Sequence, residues 1–304
     1  MESKQGQFPW KTILKIIFTL AAFYWLSSKI SFKEVFVAVK SSNYWFLFLA
    51  LMCYALSQVI ASSRLNSFFK GINLHISERY NLRLYQLGLL YNFFLPGGIG
   101  GDGYKIFFLK KRHPIKGRKI LSAVFFDRLS GLWAIFIIVC LLIVMMPRLG
   151  IPNYIPLIGI FIGTITYFYL LNLFFKKFSK NWLVTHSKAL FVQGFQILSV
   201  ICILFALHFD GKFSPYLLIF LVSSVAAIIP SIGGGIGVRE LVVLFSAQYI
   251  QLDEKLAVSV SLIFYLLSLL VASTGLYYLF RPQRLGTDKI PSIKQVENDL
   301  EKEN

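Results

Sequence analysis

The sequence predicts an all-α polytopic membrane protein with about seven to eight transmembrane helices and two glycine-broken re-entrant hairpins arranged as an inverted repeat. Three observations predict it. The 304 residues are 56% hydrophobic and 15% charged, against ~25% charged in an ordinary soluble domain. The apolar residues gather in runs long enough to cross a hydrocarbon layer ~30 Å thick. One short pattern occurs twice, as PGGIGGDGYK at 96–105 and PSIGGGIGVR at 230–239. An ungapped shift aligns Pro96 with Pro230, Gly100 with Gly234, Gly101 with Gly235, Gly103 with Gly237 and Lys105 with Arg239.

The elements follow in order. Residues 12–30 read as a retained first span, since Lys15 interrupts the apolar stretch and no small-x-small cleavage site follows. Span 44–63 ends at Arg64, and the mixed stretch 65–81 reads as an interfacial amphipathic segment. Segment 82–112 is a broken hairpin, interrupted by the first glycine motif and stopped by His113-Pro114. Spans 120–146, 154–175, 189–208 and 214–229 come next, separated by prolines or by basic loops. The second glycine motif breaks 214–250 into the second hairpin, and 257–280 is the last span. Residues 1–282 form one transmembrane domain, and 283–304 form a polar tail.

The net charge of +17 does not call for nucleic acid, because the basic residues sit in short loops rather than on a soluble face. Loop charge sets orientation instead. With the N-terminus inside, the inner segments carry 23 Lys and Arg and the outer segments carry 6. Both termini are therefore expected in the cytoplasm, across a cell (inner) membrane. The hairpin 82–112 then enters from the cytoplasmic side and 214–250 from the other side. Such paired, oppositely directed broken segments point to a substrate site near the midplane.

Irregular backbone cannot face lipid, because each unpaired N–H or C=O there costs several kcal/mol. The glycine loops must be buried or line a watery cavity. A glycine loop entering a helix N-terminus suits an anion, above all a phosphate. The candidate ligands of such a group are Gly98, Gly100, Gly101, Asp102 and Lys105 in the first copy, and Gly233, Gly234, Gly235, Gly237, Arg239 and Glu240 in the second. The plain alternative is a tight packing turn that needs glycine. If the loops bind ligand, Gly101→Val and Gly235→Val abolish activity and leave expression largely intact.

Intramembrane charge is the second signal, since each such group needs a partner or a cavity. Asp127 and Arg128 are sequence neighbours and point apart on a helix, as do Arg239 and Glu240. Asp102 is expected to pair with Arg128, and Asp127 with Lys105 or Arg239. These contacts could also be purely structural. Arg64, at the inner end of its span, reads as a snorkelling anchor or as a headgroup ligand. The basic run from Lys105 to Lys119 would attract anionic headgroups or simply fix orientation. Cys53, Cys140 and Cys202 lie in apolar runs, and no histidine pair has metal-ligand spacing, so neither metal nor cofactor is expected.

At NFFLPGGIGGD (92–102), FFDRLSG (125–131) and PSIGGGIGVRE (230–240), the chain resembles the lysylphosphatidylglycerol synthase transmembrane-region family, also called flippase-like membrane proteins. The resemblance covers residues 8–282. It implies a multi-span fold with re-entrant segments and the handling of phospholipids or polyprenyl-linked lipids. It places the family's polar positions at Asp102, Asp127, Arg128, Arg239 and Glu240. The soluble domain that transfers lysine in multidomain relatives has no counterpart in these 304 residues, so a non-enzymatic role is expected. The favoured function is a lipid flippase or transporter whose partners are membrane lipids, through an anionic headgroup or lipid phosphate. The alternatives are an ion-coupled carrier of a small organic anion and an accessory subunit of a lipid-modifying enzyme or glycosyltransferase.

Overall fold

The computed structural model describes residues 39–94, 100–179, 181–226 and 238–286. Among these residues all regular structure is helical. The first span at 12–30, the loops at 95–99 and 227–237, and the tail from 287 lie outside the described residues. The helices are α1 (Tyr44–Lys70), α2 (Glu78–Phe94), α3 (Gly100–Arg112), α4 (Gly117–Val144), α5 (Tyr154–Phe174), α6 (Lys176–Ser179), α7 (Trp182–Ala206), α8 (Phe213–Ala226), α9 (Val238–Ile250), α10 (Glu254–Ser273) and α11 (Leu276–Phe280).

Five segments are long and apolar enough to cross a membrane: α1, α4, α5, α7 and the run Glu254–Phe280 through α10 and α11. The four hairpin helices are shorter. Helices α2, α3, α8 and α9 have 17, 13, 14 and 13 residues, so each reaches only ~20–26 Å. Caps fix two of the long helices. Asn43 Oδ1 accepts from Trp45 N–H at 3.0 Å, and Asp253 Oδ1 accepts from Leu256 N–H at 3.1 Å.

The order long, short, short, long occurs twice, as α1–α4 and as α7–α10. Contacts repeat with it. Helix α2 packs on α10 as α8 packs on α4, and α1 meets α4 as α7 meets α10. The two lead helices α1 and α7 pack antiparallel along their length. Asn43 N–H donates to Ala206 O at 2.9 Å and Ser199 Oγ to Ala50 O at 2.8 Å. At the other end Lys188 Nζ donates to Ser63 Oγ and Ser67 Oγ at 2.9 and 3.0 Å. An antiparallel pairing of equivalent helices is what inversion of a repeat requires.

Two large apolar cores and two smaller clusters fill the interior among the described residues. Of the two large cores, one gathers Tyr54, Leu142, Val200, Leu221 and Phe264; the other gathers Leu65, Phe68, Phe69, Ile120 and Phe126. Along α1 the stretch between them is polar and buried: Ser57, Gln58, Ser62 and Arg64. Asn81 on α2 reaches this stretch, donating through Nδ2 to Ser62 O at 2.6 Å. Helix α5 lies at the periphery with Phe161, Ile162 and Tyr169 exposed. It is tied in by Tyr167, whose hydroxyl is 2.9 Å from His186 Nε2, and by Trp133 Nε1 donating to Thr164 Oγ1 at 3.3 Å.

Three expectations change here. Residues 65–70 do not lie along an interface; they extend α1, and Leu65, Phe68 and Phe69 are core residues. Helix α7 begins at Trp182 rather than at 189, because Lys188 buries its stem and finds serine partners on α1. The polar tail begins with an ordered turn at Pro282–Leu285. There Leu285 is buried, Arg83 Nη1 donates to Arg284 O, and Arg112 Nη1 donates to Gly286 O.

The first hairpin closes on glycine. A Cβ built on Gly101 would fall on the backbone carbonyl of Gly88, and one on Gly88 would lie 2.9 Å from Lys105 Cε. Helices α2 and α3 can cross this closely only without a side chain at Gly101, whereas at Gly88 a Cβ would press only on the flexible Lys105 side chain. Gly103, two residues on, faces open space. Gly101→Val is therefore expected to lower both stability and expression, by more than the ~1–3 kcal/mol of ordinary overpacking. Gly103→Ala should leave the protein unchanged. Thermal unfolding in detergent and the yield of monodisperse protein check both outcomes.

Candidate functional site

The charged residues singled out above form two groups. The first is built on α1, α3 and α4. Arg64 Nε donates to Asp127 Oδ1 at 2.8 Å, and its Nη2 donates to Asp127 Oδ2 at 3.2 Å. This is a two-pronged pair buried on both sides. Asp102, in the first turn of α3, binds Lys105 Nζ at 2.7 Å and also the Arg128 guanidinium. Asp127 and Arg128 point to different neighbours, as adjacent helical residues must.

The expected Asp102–Arg128 pair is present. The partner expected for Asp127 is not: its cation is Arg64, rather than Lys105 or Arg239. Arg64 is accordingly no snorkelling anchor. It is 6% exposed and points inward to a carboxylate. The basic run also divides. Lys105 is buried in the ion-pair group, while Lys110, Lys111, Arg112, Lys116, Arg118 and Lys119 are exposed.

This geometry accounts for whole stretches of sequence. In FFDRLSG, Asp127 takes Arg64 and Arg128 takes Asp102. Ser130 Oγ caps the Asp127 carbonyl at 2.8 Å, and Gly131 leaves room for Arg64, whose Nη1 would lie 3.4 Å from a Cβ there. In NFFLPGGIGGD, Asn92 Oδ1 accepts from Gly101 N–H at 2.8 Å, which closes the hairpin. Gly100 opens α3, and Gly101 serves packing. Gly98, Gly233, Gly234, Gly235 and Gly237 lie outside the described residues.

The second group centres on Arg239, in the first turn of α9. It is 9% exposed. Its Nη2 donates to Ser224 Oγ on α8 at 3.2 Å, and its guanidinium lies over Phe220 and Phe264 at 4.9 and 5.0 Å. No carboxylate lies within 4.0 Å of it among the described residues. Its Nε has no hydrogen-bond partner among them. Glu240 turns the other way, toward Ser261 Oγ on α10 at 3.5 Å.

A parallel joins the groups. Lys105 stands 4.6 Å from the Tyr85 ring on α2, and Arg239 stands over Phe220 on α8. In each hairpin the paired basic residue rests on an aromatic ring of the preceding helix. Tyr85, Gly88, Asn92, Phe220 and Ser224 were not singled out from sequence. The available signal was an aromatic residue about 20 positions before each basic one. The hairpins also meet through α10, because Phe93, just before the first glycine segment, packs edge-on against Tyr265 at 5.3 Å. Among the described residues no group of three or more His, Cys, Asp or Glu is placed to hold a metal ion.

The model of the lysylphosphatidylglycerol synthase TM region matches residues 12–274. The chain belongs to this family. The match spans both hairpins, both ion-pair partners of α4, and Arg239. A UPF0104 membrane protein of Pyrococcus horikoshii is 24% identical over 276 residues, covering 73% of this chain and 82% of that relative. The family is that of a membrane region, in keeping with the helices long enough to span.

The first group predicts a stability signature. Removing one member of a buried ion pair leaves an uncompensated charge and costs about 3–5 kcal/mol, whereas replacing both by apolar residues costs far less. Arg64→Met and Asp127→Leu should each destabilise by about that amount, and the double variant should recover most of the loss. Unfolding of all three variants in detergent micelles checks this.

Proposed function

We propose that the protein binds a phosphate-bearing lipid and moves its headgroup across the bilayer, with Arg239 as the residue that meets the phosphate. One observation carries the reading. The carboxylates of the first group are engaged by cations from three helices, while Arg239 is buried with no carboxylate within ion-pair distance among the described residues. A desolvated guanidinium in such a place favours an anion, and its planar fork suits phosphate oxygens. Two aromatic faces and a serine hydroxyl hold it without neutralising it. It opens α9 directly after the second glycine segment, where helix N–H groups and dipole add to the attraction.

In this reading Asp102, Lys105, Asp127, Arg128 and Arg64 chiefly position the first hairpin. Among the described residues Lys105 and Arg128 share one carboxylate, so there the group carries one more cation than carboxylate and gives a weaker second station for a headgroup. Glu240 balances charge beside Arg239. The hairpins enter as re-entrant elements from opposite faces, with both termini in the cytoplasm, as the loop charges require. The protein acts without catalysing a covalent change. Membership in a lipid-associated membrane family and the short hairpin helices both support the reading.

The test is translocation of a fluorescent phospholipid in liposomes containing purified protein. Arg239→Gln is expected to lower the rate roughly tenfold to a hundredfold, because a hydrogen bond to a charged group is worth about 1.5–3 kcal/mol. Arg239→Lys should retain part of the rate. Unfolding midpoints of both variants are to stay near that of the unaltered protein. Equal rates for the unaltered protein and Arg239→Gln would remove the proposal. Uptake of a water-soluble organic anion with no lipid movement would replace it.

A further inference from the structure

We infer that the groove between α1, α2 and the α10–α11 run seats an acyl chain of the transported lipid, with the headgroup turned inward over Gln58 and Tyr85. The inference rests on the lipid reading above for its ligand class, and it adds the place where that ligand enters. The groove has a volume of about 270 Å³. Its walls are mostly apolar and include Met52 and Val59 from α1, Leu89 from α2 and Leu270 from α10. Four polar residues also line it, Gln58, Tyr85, Gln86 and Thr274, and we take the buried Gln58 with the half-buried Tyr85 as its floor.

The placement of that floor is the argument. Gln58 lies in the polar stretch of α1 that separates the two apolar cores, and its Nε2 donates to Ser57 Oγ at 3.0 Å. Tyr85 carries the Lys105 ammonium over its ring, so the floor adjoins the ion-pair group. One turn from Gln58 is Tyr54, whose ring meets Phe264 edge-on at 5.1 Å, and Phe264 lies under Arg239. The floor therefore stands between Arg239 and the ion-pair group that includes Arg64, Lys105 and Arg128. Tyr54 and Arg64 are ten residues apart on one helix, ~15 Å along the axis.

Two physical requirements select the occupant. Two of the three walls, α1 and the α10–α11 run, are segments of membrane-crossing length, and Val59 and Leu270 on them are exposed. In a bilayer such a groove fills with hydrocarbon. The floor cannot be left to hydrocarbon alone, because polar groups need hydrogen-bond partners there. A molecule with an apolar chain and an anionic head satisfies both, and the excess cation beside Tyr85 complements its charge. The competing occupant is the chain's own segment 12–30. Its sequence is mostly apolar and would set hydrophobic side chains against Gln58 and Tyr85.

A photoreactive benzophenone side chain placed at Val59 or at Leu89 tests this, with Phe191 on the exposed face of α7 as the control position. The full chain is reconstituted in vesicles of phosphatidylethanolamine and phosphatidylglycerol, irradiated and analysed by mass spectrometry. Phosphatidylglycerol adducts at Val59 and Leu89 are expected several-fold above those at Phe191. Ala55→Phe, which fills the groove from α1, should reduce those adducts several-fold while the unfolding midpoint holds. Adducts equal to the control would overturn the inference, and so would a cross-link to a peptide from residues 12–30. Because the readout is binding, a protein that takes adducts but moves no lipid would fail the transport proposal and keep the groove. Transport without adducts would do the reverse.

Discussion

A charge buried among membrane helices needs a partner or a polar cavity, and the Arg64–Asp127 pair is the contact on which the rest of the interior is arranged. It joins α1 to α4 midway between two apolar cores. Serine, glutamine and glycine gather around it, because a guanidinium and a carboxylate need room and further hydrogen bonds to tolerate desolvation. Gly131 supplies the room and Ser130 closes the Asp127 carbonyl. With α4 so fixed, Arg128 faces α3 and collects Asp102, and Asp102 collects Lys105. One ion pair thereby sets the position of the first hairpin.

The second half repeats the helices and changes the charges. Under the shift that aligns the glycine motifs, Asp102 meets Ile236 and Asp127 meets Ser261. Both carboxylates of the first half are thus absent from the second, while the basic residue at the start of the second hairpin helix is kept as Arg239. Ser261 does not face that arginine; it turns to Glu240. Phe220, Phe264 and Ser224 surround the guanidinium instead. A repeat that keeps its backbone and drops its counter-ions separates the two tasks of an intramembrane charge. The first copy pairs its carboxylates with cations, and the second keeps a buried arginine with no carboxylate within ion-pair distance among the described residues.

Much of this was legible in the sequence. Apolar runs located α1, α4, α5, α7 and α10, because span length is set by membrane thickness and little else. The glycine duplication located both hairpins. Asp102–Arg128 followed from the rule that adjacent helical residues diverge. The rest depends on contacts that sequence order does not carry. Arg64 and Asp127 are 63 positions apart, and nothing in the local pattern links them. Leu65 to Phe69 looked interfacial because their neighbours are polar, yet the fold turns that face of α1 onto α4. Gly101 looked like a ligand loop because glycine serves close packing and backbone exposure alike. Only the position of Gly88 on the facing helix tells the two uses apart.

On the lipid-transport reading proposed above, the contrast between the two cationic stations has a consequence for how a headgroup would move. A pathway that held an anion tightly at every step would trap it, since conduction needs sites firm enough to enter and weak enough to leave. Lys105 and Arg128 already share Asp102, so a headgroup arriving there competes with a bound carboxylate. Arg239 has no such competitor among the described residues, and its aromatic partners attract the cation through ring faces that a phosphate does not need to displace. Between them lies a stretch of α1 offering neutral hydrogen-bonding groups, Tyr54, Ser57 and Gln58, at helical spacing. On that reading, unequal anchors joined by neutral polar residues would give a headgroup a graded course. A pair of equal, fully charged sites would give it two traps.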